Sequence, residues 1–146
     1  IMESIYAKGR DNARTPMQWT AGKNAGFTQG TPWIGVNPNY TEINAEEELK
    51  NMDSVFHYYK KLIALRKKYE IFTEGSFRLL LEEDENIFAY EREYNGKKLL
   101  VAGNFTEKEV PCSILREWEG EETLIHNYEG EKEGILRPYE AFMKLK

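Results

Sequence analysis

Asn95-Gly96 lies between two runs of strand-forming residues, Ile87–Tyr94 and Lys97–Asn104. Both positions of a two-residue hairpin turn need φ > 0, which glycine adopts freely and asparagine tolerates. The dipeptide therefore commits its flanks to an antiparallel pair. Around that pair the same period of two recurs. Phe77, Leu79 and Leu81 stand at every second position before it. After it come short runs at Val110–Leu115, Thr123–Tyr128 and Ile135–Arg137, then Ala141, Met143 and Leu145. Short strands punctuated by Gly, Pro and Asn predict an antiparallel sheet folded as a sandwich. About 70 residues make this half, enough for a small, thin core.

Upstream the pattern changes to helix. Val55, Phe56, Tyr59, Leu62, Ile63 and Leu65 recur at three- and four-residue spacing, with Tyr69 at the end of the stripe. Asp53 or Ser54 is the expected N-cap. Lys60, Lys61, Arg66, Lys67 and Lys68 form a solvated face and crowd the C-terminal turn, where the helix dipole favours cations. A shorter helical turn is expected at Ala45–Lys50.

Residues 1–44 read as irregular. Gly9, Gly22, Gly26, Gly30 and Gly35 alternate with Pro16, Pro32 and Pro38, residues that favour turns through backbone freedom or a fixed φ. Trp19, Phe27, Trp33 and Tyr40 are spread through the same stretch. A long loop of this kind is uncommon unless it is functional. Buried aromatics would let it pack on a scaffold.

Charge and cysteine usage narrow the function classes. The net charge of −5 gives an acidic surface, which argues against nucleic acid as a partner, because phosphate binding needs a basic face. Cys112 is the lone cysteine, so no intrachain disulfide forms, which fits a reducing cytoplasm. No apolar run reaches membrane-spanning length, and no membrane partner is expected. Ile1-Met2-Glu3-Ser4-Ile5 lacks a signal-peptide pattern and starts with Ile, so a piece trimmed from a longer protein is expected. No zinc spacing and no Gly-rich phosphate loop is present; no metal and no cofactor are expected. His57 and His126 read as structural or surface histidines, and Cys112, without a nearby His or Lys, as an inert thiol.

The segment Gly9-Arg10-Asp11-Asn12-Ala13-Arg14-Thr15-Pro16-Met17-Gln18-Trp19 stands out as a functional candidate. Two arginines flank an Asp and an Asn. Such a set can fix a loop through internal ion pairs, and a free guanidinium can hydrogen-bond sugar hydroxyls. Trp19 offers a face of the sort that stacks on pyranose rings. Spacing alone favours loop scaffolding over ligand contact.

Residues 10–19 closely resemble a hallmark of glycoside hydrolase family 13, in its oligo-1,6-glucosidase subgroup. The likeness continues through Lys23–Thr28, Thr31–Ile34, Val36–Tyr40, Ile43-Asn44, Ser54–Ile63 and Leu65-Arg66, and again at Leu136–Ala141. It is dense to about residue 70 and thinner beyond. Thr20 departs from it, since relatives often carry Asp after the Trp.

The resemblance implies a mixed fold. Residues 1–72 would be the last βα loop and last helix of a (β/α)8 barrel, and residues 73–146 the antiparallel β-sandwich called domain C. It implies a retaining α-glucosidase that cleaves α-1,6 or α-1,4 glucosidic bonds in short oligosaccharides with an Asp nucleophile, a Glu acid/base and a second Asp. In the family all three precede the motif, so no catalytic residue is expected in this chain, and the chain alone is expected to be inactive. Arg10 or Arg14 would contact the substrate oligosaccharide, and Asp11 would hold the loop. The same residues would suit a trehalose-6-phosphate hydrolase or a sucrose isomerase. A different class is a non-catalytic carbohydrate-binding sandwich, using aromatics such as Tyr90, Tyr94, Trp118, Tyr128 and Tyr139. Without a barrel the Val55–Leu65 stripe would be exposed, and self-association through that helix face, or its docking on the sandwich, is expected.

Overall fold

The computed structural model describes residues 9–146. Ile1–Ile5, read above for a leader, lie outside the described residues. The chain divides into two compact units, residues 1–60 and residues 61–146, with the division inside one helix.

The first unit carries three 3-10 turns, Asp11–Ala13, Lys23–Gly26 and Pro38–Thr41, and then α1, Ala45–Lys50. Polar side chains set these elements. Asn37 accepts from the Asn39 N–H, and Pro38 fills the first position, where no donor is needed. Asn44 caps α1, its Oδ1 accepting from Glu47 N at 3.1 Å while its Nδ2 donates to the Tyr40 carbonyl at 2.9 Å.

Helix α2 spans Val55–Lys68. Ser54 is its cap: Oγ accepts from His57 N at 3.4 Å and donates to the Glu48 carbonyl at 2.7 Å. The lysine face is exposed as expected. No residue of α2 is buried, and Val55, Phe56, Tyr59 and Ile63 are exposed.

In the second unit, α3 (Ile71–Glu74) leads to Gly75. A Cβ at Gly75 would sit 2.5 Å from the Ile71 carbonyl oxygen, so only glycine lets the chain leave this helix so closely. Five strands then form one antiparallel sheet in the order β1-β2-β3-β7-β5: β1 Arg78–Leu80, β2 Ile87–Tyr94, β3 Lys97–Asn104, β5 Glu122–His126 and β7 Ala141–Leu145. The β2–β3 hairpin has the expected bounds, closes at Tyr94↔Lys97, and has φ of 51° at Asn95 and 77° at Gly96. A second sheet pairs β4 (Val110–Pro111) with β6 (Ile135–Leu136).

Both faces of the larger sheet are covered in part. Ile87, Ala89, Leu100, Ala102 and Phe142 pack with Cys112, Trp118 and Leu136 on one face. Leu99, Leu124 and Leu145 pack with Ile71, Leu65, Tyr69 and Phe72 on the other. β3 is the middle strand, and its burial on consecutive residues Leu99 and Leu100 follows from cover on both sides.

The structure corrects one strand expected from the sequence. Of Val110–Leu115 only Val110–Pro111 pairs; Ser113–Trp118 is a 3-10 helix. Pro111 has no N–H to extend a ladder, and the helical turn buries Trp118 to 2% exposure. The others shift by a residue or two at their ends, and Leu81 leaves the first strand at φ 53°.

Candidate functional site

The 3-10 turn Asp11–Ala13 places Arg10 just before it and Arg14 just after it, closed by Ala13 N to Arg10 O at 3.1 Å and Arg14 N to Asp11 O at 2.9 Å. Arg10, Asp11 and Arg14 are all exposed. Among the described residues the Asp11 carboxylate makes no ion pair with either arginine. Arg14 lines a cleft of about 270 Å³ with Met17, Phe27, Pro32, Trp33 and Ile34 among its walls. Arg10 and Asp11 do not line it.

The bonds that fix the loop come from amide side chains. Gln18 Nε2 donates to Asn39 Oδ1 at 3.0 Å and to the Ile43 carbonyl. Asn24 Nδ2 donates to the carbonyls of Thr28 at 3.0 Å and Gly30 at 2.7 Å. The backbone N–H groups of Trp19 and Thr20 converge on the Ala25 carbonyl at 2.9 and 3.1 Å. That convergence needs an unusual corner: Asn24, Ala25 and Gly26 are left-handed in succession, at φ 51°, 55° and 69°. Ala25 is fully buried there, and a non-glycine residue in this region costs about 1 kcal/mol. Thr20, the departure noted above, accepts from Gly22 N through Oγ1 at 3.2 Å. A Cβ on Gly26 would come within 2.8 Å of that same oxygen.

Held this way, the loop turns its aromatics outward. Trp19 is 52% exposed, Phe27 50% and Trp33 fully exposed. Of these, Phe27 and Trp33 share one concave surface with Arg14 and Met17, and Trp19 lies outside it. The arrangement suits a neutral polyhydroxylated ring: apolar walls for its C–H faces and a guanidinium for its hydroxyls. Sequence reasoning singles out the arginines and Trp19 but misses Phe27 and Trp33 as cleft walls. The signal is their placement among Gly and Pro, where a side chain has no element to pack into.

Glu140, Cys112 and His57 are occupied structurally. Glu140 is 2% exposed. Its oxygens accept from Arg137 Nε at 2.9 Å, Arg137 Nη2 at 2.8 Å and the Arg137 backbone N–H at 2.6 Å, and one lies 2.7 Å from His126 Nε2. Burial pushes the Glu140 carboxyl up, but Arg137, through its guanidinium and its N–H, together with His126, holds it down at about 2. Burial pushes the Cys112 thiol up to about 11, so it is un-ionised near neutrality. His57 Nε2 hydrogen-bonds the Leu49 carbonyl oxygen at 3.1 Å. Of the aromatics considered for sugar stacking in the second unit, Trp118 is buried and inaccessible.

Residues 1–75 match the family described as alpha amylase, catalytic domain. The chain belongs to that family. It is 54% identical over 153 aligned residues to an oligo-1,6-glucosidase of Bacillus cereus, an alignment covering 100% of this chain and 27% of the relative. A crystal structure of Bacillus licheniformis trehalose-6-phosphate hydrolase matches at 43% identity and a TM-score of 0.86, covering 99% of this chain and 27% of that one. An isomaltulose synthase from Klebsiella sp. LX3 matches at 38% identity and a TM-score of 0.85, covering 94% and 26%. The chain therefore spans about a quarter of the length of the relatives it matches. No helix among the described residues is long and apolar enough to cross a membrane.

Proposed function

We propose that this chain is the C-terminal part of a retaining α-glucosidase of the oligo-1,6-glucosidase type, acting on α-1,6 or α-1,4 bonds of short oligosaccharides in the cytoplasm. The carrying observation is 54% identity along the whole chain to an oligo-1,6-glucosidase. In this reading residues 1–72 close the catalytic barrel, with α2 its last helix, and residues 73–146 are domain C. The loop is the pocket rim, and Arg10 or Arg14 hydrogen-bonds the sugar. The exposed Arg14, walled by Phe27 and Trp33, supports a sugar-facing role for the loop. Cleavage with retention needs two carboxyl groups about 5 Å apart across the bond. The reading assigns these groups to residues outside 1–146.

The chain alone is then inactive. Assay on p-nitrophenyl α-glucoside and isomaltose should give no turnover above blank; measurable hydrolysis would sink the assignment. The exposed Val55, Phe56, Tyr59 and Ile63 support self-association of the isolated chain, and a concentration-independent monomer by sedimentation would refute that part.

A second reading is the corresponding part of a trehalose-6-phosphate hydrolase, favoured by the structural match at TM-score 0.86. The longer protein assayed on isomaltose and trehalose 6-phosphate separates the two.

A further inference from the structure

We propose that Asn95 is a site of spontaneous hydrolytic deamidation, and that its aspartate product is held by the lysines around the hairpin tip. Of the chain's asparagines, only Asn95 is followed by glycine. The turn carries both residues into solvent. Nothing lies within 4 Å of where a Gly96 Cβ would stand, and among the described residues the Gly96 N–H donates no hydrogen bond. The nucleophile is therefore unpaired, and no side chain crowds the glycine that carries it. Asparagine is among the thermally labile residues, and exposed loop tips are where the backbone opens most readily.

The chemistry balances with water as the only co-reactant. The Gly96 amide nitrogen attacks Asn95 Cγ, the new N–C bond closes a five-membered imide, and Cγ–Nδ2 breaks. Nδ2 leaves as ammonia, carrying the proton lost by the Gly96 nitrogen. Water then opens the imide. Cleavage of the N–Cγ bond leaves aspartate; cleavage on the backbone-carbonyl side leaves isoaspartate, with the main chain rerouted through Cγ.

The surroundings decide what each product does. Asn95 lines a cleft of about 410 Å³ with Lys67, Lys68 and Lys97, alongside Tyr69, Tyr94 and one acid, Glu70. A carboxylate at position 95 meets three cations against a single anion, so the aspartate form is retained. Isoaspartate instead lengthens the loop by one backbone atom and disturbs the Tyr94↔Lys97 closure.

Tryptic cleavage after Arg92 and Lys97 isolates Asn95 on a peptide with no other asparagine. The folded chain incubated at 37 °C and mildly alkaline pH should show the amide-to-acid mass gain on this peptide ahead of every other asparagine. Isoaspartyl methyltransferase should label the same peptide. Conversion no faster than at the remaining asparagines would overturn the site. The variant Asn95→Asp, made directly, should melt at or above the unmodified chain at low salt and lose that margin as salt screens the lysines. A melting temperature below that of the unmodified chain at low salt would overturn the lysine cradle.

Discussion

Trp33 and Trp118 belong to the two units of this chain and behave oppositely. Trp33 stands fully in solvent on a loop fixed by amide hydrogen bonds, whereas Trp118 is 2% exposed inside an aliphatic core. The first unit spends its aromatics on a surface and keeps its shape through Gln18, Asn24 and Asn44. The second buries its large side chains on both faces of a five-stranded sheet and keeps its shape by packing. One part presents groups, and the other supplies stability.

Four substitutions test that contrast. Trp118→Ala should cost about 3–5 kcal/mol in urea unfolding, because it removes a large side chain and leaves a cavity; a loss under about 1 kcal/mol would mean the core does not rest on it. Glu140→Gln should cost about 3 kcal/mol, since Arg137 and His126 lose a buried anion. Its effect should also depend on pH. The Glu140 carboxyl is depressed from 4.5 to about 2 in the folded chain. Its contribution is fully present above pH about 4.5 and is lost as pH falls toward 2. Acid unfolding of the Gln variant should therefore lack that component. Gln18→Ala should cost about 1 kcal/mol, confined to the loop, and should speed amide exchange at Ala45 and Glu46, which bond the Gln18 and Trp19 carbonyls. Trp33→Ala should change stability by less than about 0.5 kcal/mol; a larger loss would show that the loop packs on this ring after all.

The hairpin is legible because Asn95-Gly96 is a local instruction: two φ > 0 residues leave one way to pair their flanks. Ser54 and the α2 stripe are equally local. The strand expected over 110–115 is cut short because hydrophobic residues there fit a strand or a helical turn, and Trp118 decides between them through contacts distant in sequence. The site is legible as residue types and not as geometry. Arg10, Asp11 and Arg14 suggest a self-paired cluster, yet among the described residues the loop is held by Gln18 and Asn24, whose bonds cross gaps of 25 and 6 residues. No periodicity announces such links. The Asn24–Gly26 corner, on whose Ala25 carbonyl the Trp19 and Thr20 N–H groups converge, is likewise not revealed by composition.

That corner sets a condition on engineering. Three residues in succession run with the handedness that side chains oppose, and Thr20 occupies the space a larger residue at position 26 would need. Grafting the loop onto another scaffold as a string of Arg and Trp alone would lose its curvature. The transplant works as a unit only if the Asn-Ala-Gly triplet and its threonine neighbour travel with it.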